Sequence, residues 1–244
     1  MRPSAIHGAV MLLARWTPYL ESEMLGLASV IEQGSVCLDV GAAAGLYSLV
    51  LSRLAGPSGQ VHAVEPLSFA HPMWRRVLRT SYRQNVSHYA RALGAEPGSG
   101  VMSVPFSRHG PVTGRSFLTG RSSGLGSNAE FIRHDEVTVD VDTIDALISR
   151  AGVTRLDFIK IDVEGAELYV LRGGQHSIDR FRPAMLIEIE ARHTARYEHT
   201  AAEVANWIIQ RGYRMYSWQR GWQEVSEVSP GKRNYLFRPA PAER

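Results

Sequence analysis

Two stretches of this chain gather the side chains that do chemistry. The first is Asp157-Phe158-Ile159-Lys160-Ile161-Asp162-Val163-Glu164-Gly165-Ala166-Glu167, which crowds charges around a short apolar run. Burying charge without a partner is expensive, so Lys160, Asp162 and Glu164 belong at the end of a strand, paired or facing a ligand. The second is Ala184-Met185-Leu186-Ile187-Glu188-Ile189-Glu190, again an apolar run that finishes in carboxylates. If the two runs are neighbouring strands, they deliver acids to one rim of a sheet. Oxygen ligands in that arrangement suit a hard divalent ion such as magnesium, for which Asp162, Glu188 and Glu190 are the candidate ligands. Carboxylates at strand ends also pair with arginine, here Arg192 or Arg182. A general base is the other device for activating a weakly acidic hydroxyl. His134 and His193 are the candidates, because imidazole changes charge near neutral pH.

A third constellation reads as a ligand-binding turn. Val36-Cys37-Leu38-Asp39-Val40 is a buried strand, Gly41-Ala42-Ala43-Ala44-Gly45 a turn of small residues, and Leu46-Tyr47-Ser48 a helix start. Gly41 and Gly45 let backbone approach a ligand where a Cβ would collide, and the helix N-terminus beyond them favours an anionic group. A dinucleotide fingerprint requires G-x-G-x-x-G, whereas Ala43 and Leu46 occupy its second and third positions, which counts against a nicotinamide oxidoreductase. Glu65 ends the next apolar run, 24 residues after Gly41, placed to accept hydrogen bonds from both hydroxyls of a ribose. The plainer reading makes Gly41 and Gly45 ordinary turn glycines and Glu65 a helix cap. The order strand, turn, helix, strand, acid weighs against it. Asp39 braces the turn or touches the ligand, and Tyr47 packs the helix or touches the ligand.

The elements that must position these residues follow from the hydrophobic pattern. Apolar runs at 36–40, 61–64, 158–161 and 184–189 alternate with helical stretches at 46–54, 73–82, 144–151, 166–171 and 201–211. Near-continuous apolar strands separated by helices require a parallel sheet covered on both faces, a doubly wound Rossmann-like α/β fold. Tyr213–Trp218 and Asn234–Phe237 are separated by turn residues and suit an antiparallel pair at the sheet edge. The spacing of apolar residues over 5–32 predicts helix, so residues 1–34 form a helical flank and 35–244 the catalytic domain. Residues 107–134 lack a period and exceed an ordinary connection, which marks a functional loop or a partly disordered one. Trp207 lies on an apolar helical face, while Trp218 and Trp222 are open to stacking on a sugar ring.

Composition narrows the class. A chain of 244 residues with 44% hydrophobic content supports one large domain. The net charge of only +3, with 27 basic against 24 acidic residues, argues against a nucleic-acid binder held by phosphate contacts. No Asn/Asp-Pro-Pro-aromatic run of a base-flipping enzyme is present. The single Cys37 excludes an intramolecular disulfide. The apolar stretch 9–13 is too short to span a bilayer, so a soluble, cytoplasmic protein is expected.

The chain resembles the FkbM family of S-adenosylmethionine-dependent methyltransferases. The resemblance rests on Val40-Gly41-Ala42-Ala43-Ala44-Gly45, Glu65-Pro66, Ala92-Leu93-Gly94 and, above all, Phe158 to Glu167. It implies a class I methyltransferase that methylates hydroxyls on sugars or polyketide-like natural products. Carried over by residue, it implies that Gly41, Gly45 and the backbone around Tyr47, with Asp39, hold the methionine part of S-adenosyl-L-methionine. Glu65 would hold its ribose, Ala92 and its neighbours the adenine, and Asp162 would stand beside the sulfonium. The acceptor expected is a small molecule or an oligosaccharide, with a partly methylated mannoside oligomer favoured, and a homodimer is one expected state. The remaining alternative is a non-catalytic cofactor-binding protein, against which the intact Asp162 and Glu190 speak.

Overall fold

A computed structural model of the chain describes residues 21–67, 84–108, 110–112, 115–119, 122, 128, 130–131 and 133–241. The helix expected over 5–32 lies outside the described residues up to position 20 and is a 3-10 helix over Ser22–Ser29, and the helix expected at 73–82 lies outside them altogether. A 3-10 helix, Ser22–Ser29, precedes β1 (Val36–Val40), α1 (Leu46–Ala55), β2 (Gln60–Val64), β3 (Val86–Tyr89) and β4 (Ala92–Leu93). Next come β5 (Gly98–Ser107), β6 (Gly110–Pro111), β7 (Phe117–Leu118), β8 (Arg133–Asp142), α2 (Ile144–Arg150) and β9 (Phe158–Ile161). Then follow α3 (Glu167–Arg172), α4 (Gln175–Phe181), β10 (Ala184–Glu188), α5 (Ala191–Thr194), α6 (Ala201–Ile209), β11 (Tyr213–Trp218), β12 (Trp222–Val225) and β13 (Asn234–Pro239).

The main sheet runs in the order β12-β11-β13-β10-β9-β1-β2-β3. Pairing is parallel from β10 through β9, β1 and β2 to β3, and antiparallel from β10 through β13 and β11 to β12. This is the doubly wound, Rossmann-like architecture that the alternating pattern implies. β1 and β9 read as unbroken apolar runs because both of their faces are covered. Ile159, Ile161, Met185 and Ile187 pack on one side with α2, α3 and α6, while Cys37, Phe158 and Leu186 pack on the other with α1 and the 3-10 helix. β1 lies between β2 and β9, with Asp39 beside Ala63 and Lys160 in register. The chain crosses from one side of the sheet to the other here, and in such sheets ligands bind beyond the carboxyl ends of the strands.

The structure refines the sequence reading in three places. The antiparallel edge comprises three strands, because the turn-rich stretch after Trp218 supplies β12. The stretch 107–134 is built in part into a second sheet, ordered β4-β8-β5-β6 with β7 on β5. Its positions 109, 113–114, 120–121, 123–127, 129 and 132 lie outside the described residues. Trp222 turns inward, its indole donating to the Gly26 carbonyl at 3.2 Å and packing edge-on against Trp218 at 5.1 Å. This pair seats the 3-10 helix on the sheet edge.

Candidate active site

The ends of β1, β2 and β9 open into a cleft whose wall includes Gly41, Ala43, Glu65, Ala92, Leu93, Met102, Phe117, Asp162 and Glu164. Its floor is the turn after β1. Gly41 adopts φ +78°, and a Cβ there would collide with the Asp162 carbonyl oxygen. The amides of Gly41 and Ala42 both donate to the Val64 carbonyl at 3.0 Å, which ties the turn to β2. Glu65 completes the link by accepting from the Ala43 amide on one oxygen and the Leu67 amide on the other, each at 2.9 Å. Burial pushes its carboxyl up to about 7. A carboxylate fixed this way keeps lone pairs for two neighbouring hydroxyls. Facing it, Ala92, Leu93, Met102, Phe117 and Leu118 make an apolar slot suited to a flat heteroaromatic ring. Ribose, purine and an amino-acid tail at the turn are the parts of S-adenosylmethionine, and these residues fit them.

Asp39 and Tyr47 lie behind the turn. The buried Asp39 accepts from Ser48 Oγ at 2.5 Å, which fixes the start of α1 to β1, and burial pushes its carboxyl up to about 6. Tyr47 donates its hydroxyl to Glu21, and its ring lies 4.9 Å from Lys160 Nζ. Neither side chain is among the residues lining the cleft.

Beyond the turn the rim becomes acidic. Asp162 forms an ion pair with the fully buried Lys160 at 3.3 Å, and Lys160 also donates to the Asn234 amide oxygen at 3.5 Å. Burial works against ionising Asp162, but Lys160 and a hydrogen bond from Glu188 outweigh it and hold the carboxyl below its ordinary range. Glu188 moves the other way, pushed well up by burial and by the charge of Asp162. The two carboxyls are thus pushed in opposite directions, Asp162 toward its charged form and Glu188 toward its neutral one.

A second group adjoins it. Glu164 sits at φ +58° and Gly165 at +109°, so the chain turns sharply after Asp162. A Cβ on Gly165 would strike the His193 carbonyl. Glu164 Oε2 lies 3.3 Å from His193 Nε2 and 3.5 Å from Arg196 Nη2. Burial pushes Glu164 up to about 8 and His193 down to about 4, so the imidazole is neutral. Arg196 is 1% exposed and lies 4.3 Å over the Phe117 ring. Ligand atoms of Glu164, Glu188 and His193 fall within 4.8 Å of one another, as do those of Glu21, Asp162 and Glu188.

Of the residues singled out in the sequence, the structure brings Gly41, Glu65, Ala92 and Asp162 to one cleft, while Glu188 and His193 gather with Glu164 without being among the residues that line it. Gly45, at φ +84°, closes the turn ahead of α1. Glu190 is engaged elsewhere, 2.5 Å from Arg192 and 3.1 Å from Arg233, and it joins neither acidic trio. His134 lies within β8, its ring nitrogens 3.2 Å from Ser103 Oγ and 3.1 Å from the Asn128 carbonyl. Glu21, Arg196 and Phe117 were not anticipated. Phe117 falls in the aperiodic stretch, and Glu21 and Arg196 meet the site only through folding.

The family model described as the methyltransferase FkbM domain matches residues 39–215. The AMB antimetabolite synthetase AmbE of Pseudomonas aeruginosa is 30% identical over 170 residues, which is 59% of this chain and 8% of that protein. A solved methyltransferase FkbM from Methylobacillus flagellatus is similar over 84% of this chain and 44% of its own, with a TM-score of 0.50 and 17% identity. An S-adenosylmethionine-dependent O-methyltransferase from Thermotoga maritima aligns with a TM-score of 0.49 and 11% identity, over 98% and 73% of the two chains. At these identities the solved structures speak to fold alone. The chain spans under a tenth of the curated relative and less than half of the solved FkbM protein.

Proposed function

The chain belongs to the FkbM family of methyltransferases, and from that membership we propose that it moves a methyl group from S-adenosylmethionine onto a hydroxyl oxygen of a small polar acceptor. The observation that carries the proposal is the continuity of one cleft. It starts at the glycine turn and Glu65 and ends at Asp162, paired with the buried Lys160.

S-adenosylmethionine supplies a methyl group activated by a sulfonium. The chain's own residues supply alignment and a proton acceptor. Gly41 and Gly45 hold the methionine end, Glu65 holds the ribose, and the apolar slot around Ala92 and Phe117 takes the adenine and excludes water. The acceptor hydroxyl loses its proton to Asp162 as its oxygen gains the methyl. Lys160 keeps that carboxylate ionised and in place. Polyhydroxylated acceptors suit a cleft whose end carries Asp162 and Glu164, because carboxyl oxygens accept the hydrogen bonds that hydroxyls donate. A saccharide, with a partly methylated mannoside as its first representative, is the acceptor class this favours.

The test is transfer of labelled methyl from S-adenosylmethionine to a panel of saccharides and hydroxylated small molecules, with the product site located by mass spectrometry. An O-methyl product from a saccharide supports the proposal. Methylation confined to nitrogen or carbon acceptors contradicts it.

A further inference from the structure

We infer that Glu164, Glu188 and His193 form a site for a divalent transition-metal ion, with manganese the type that suits two carboxylates and one imidazole. The three donor groups converge within 4.8 Å. His193 Nε2 and Glu164 Oε2, 3.3 Å apart, approach the spacing of roughly 3 Å between neighbouring ligands on an octahedron with bonds of about 2.1 Å. The imidazole is 3% exposed, yet its Nε2 has no hydrogen-bond partner, and neither has Glu164 Oε2. Buried polar atoms left unmatched are costly and scarce in native proteins, and two of them aimed at each other call for a third body.

The neighbouring trio of Glu21, Asp162 and Glu188 makes the contrast. Glu21 accepts the Tyr47 hydroxyl and Asp162 already has the ammonium of Lys160, so its charge is met from within the chain. At Glu164 the cation within 4 Å is Arg196, whose guanidinium nitrogens reach no hydrogen-bond geometry, and Arg115 acts on it from farther away. The nitrogen ligand also decides the type of ion. Magnesium prefers oxygen throughout, whereas imidazole favours later divalent metals, with manganese tolerant of both. Glu190, the third acid of the rim by sequence, is held by Arg192 and Arg233 and contributes nothing here.

Binding stands on this geometry alone. Its role, polarising the acceptor hydroxyl so that its proton passes more readily to Asp162, rests on the methyl-transfer reading. The test uses manganese as the probe. Calorimetry on the whole chain should show one ion per chain. Glu164→Gln and His193→Gln should each weaken it by at least about tenfold, with Glu190→Gln unchanged. Electron spin-echo spectroscopy of the unmodified protein should show one directly bound imidazole nitrogen, a readout that survives even if a variant misfolds. Absence of that nitrogen, or affinity insensitive to both substitutions, overturns the site. Binding of S-adenosylhomocysteine is measured in parallel: if it persists while manganese fails to bind, the metal site falls and the methyltransferase reading stands.

Discussion

Glu65 joins the fold to the proposed ligand site. It ties the turn after β1 to the end of β2 through two amides while keeping lone pairs free over the cleft. Replacing it by alanine removes a charged acceptor from buried donors. Glu65→Ala should therefore weaken S-adenosylhomocysteine by about 1.5 to 3 kcal/mol, roughly tenfold or more. Unchanged affinity by calorimetry contradicts the role. Asp162 carries a different expectation. Because its carboxyl is held below the ordinary range, activity should persist as pH falls from neutral to about 5, where a histidine base with an ordinary value near 6.5 would already be protonated. Asp162→Asn should lower kcat strongly and leave cofactor affinity little changed. A kcat that drops with a midpoint near 6.5 assigns the proton to an imidazole instead. These residues were legible in the sequence because each ends an apolar run. Arg196 and Glu21 were not, since nothing local marks a side chain whose partner lies far along the chain.

The turn after β1 is the element on which the cleft depends. Gly41 takes a left-handed conformation, and its α-hydrogen faces the Asp162 carbonyl. Gly41→Ala should cost about 1 kcal/mol or more from backbone strain alone, and the collision should separate β1 from β9 and abolish cofactor binding. A thermal melt and titration at wild-type values contradict this. The helix α6 is the matched control. Thr200 and Glu203 form a reciprocal cap on its first turn, so Thr200→Ala should cost about 1 kcal/mol of stability without touching cofactor affinity. The strand–turn–helix order of this region is written in local pattern and was read directly. The second sheet was not, although Val137, Val139 and Val141 alternate along β8. Two of that sheet's strands, β6 and β7, which pair with β5, are only two residues long, and the stretch that contains them has few aliphatic residues to set a period.

Over the whole molecule, the doubly wound sheet was legible because parallel strands buried on both faces must be apolar throughout. The acidic rim follows from it, since β9 and β10 are parallel neighbours and end together. Burying so many carboxylates has a consequence for stability. Burial pushes Glu167 up to about 7 and Asp39 up to about 6, so the folded state favours their protonated forms. Their contribution is full below the unfolded values, 4.5 and 3.8, and is lost as pH rises toward 7. Each costs on the order of 2 kcal/mol over that window, several degrees of Tm. Glu167→Gln should flatten the decline of Tm between pH 5 and about 7, and an unaltered slope contradicts the assignment.

The central claim is that the cleft between the Gly41 turn and Asp162 is built for S-adenosylmethionine. Isothermal titration of the whole chain with S-adenosylhomocysteine and, separately, with NAD tests it most directly. The account predicts one S-adenosylhomocysteine bound per chain and no heat from NAD. No binding of S-adenosylhomocysteine, or saturable binding of NAD in its place, contradicts it.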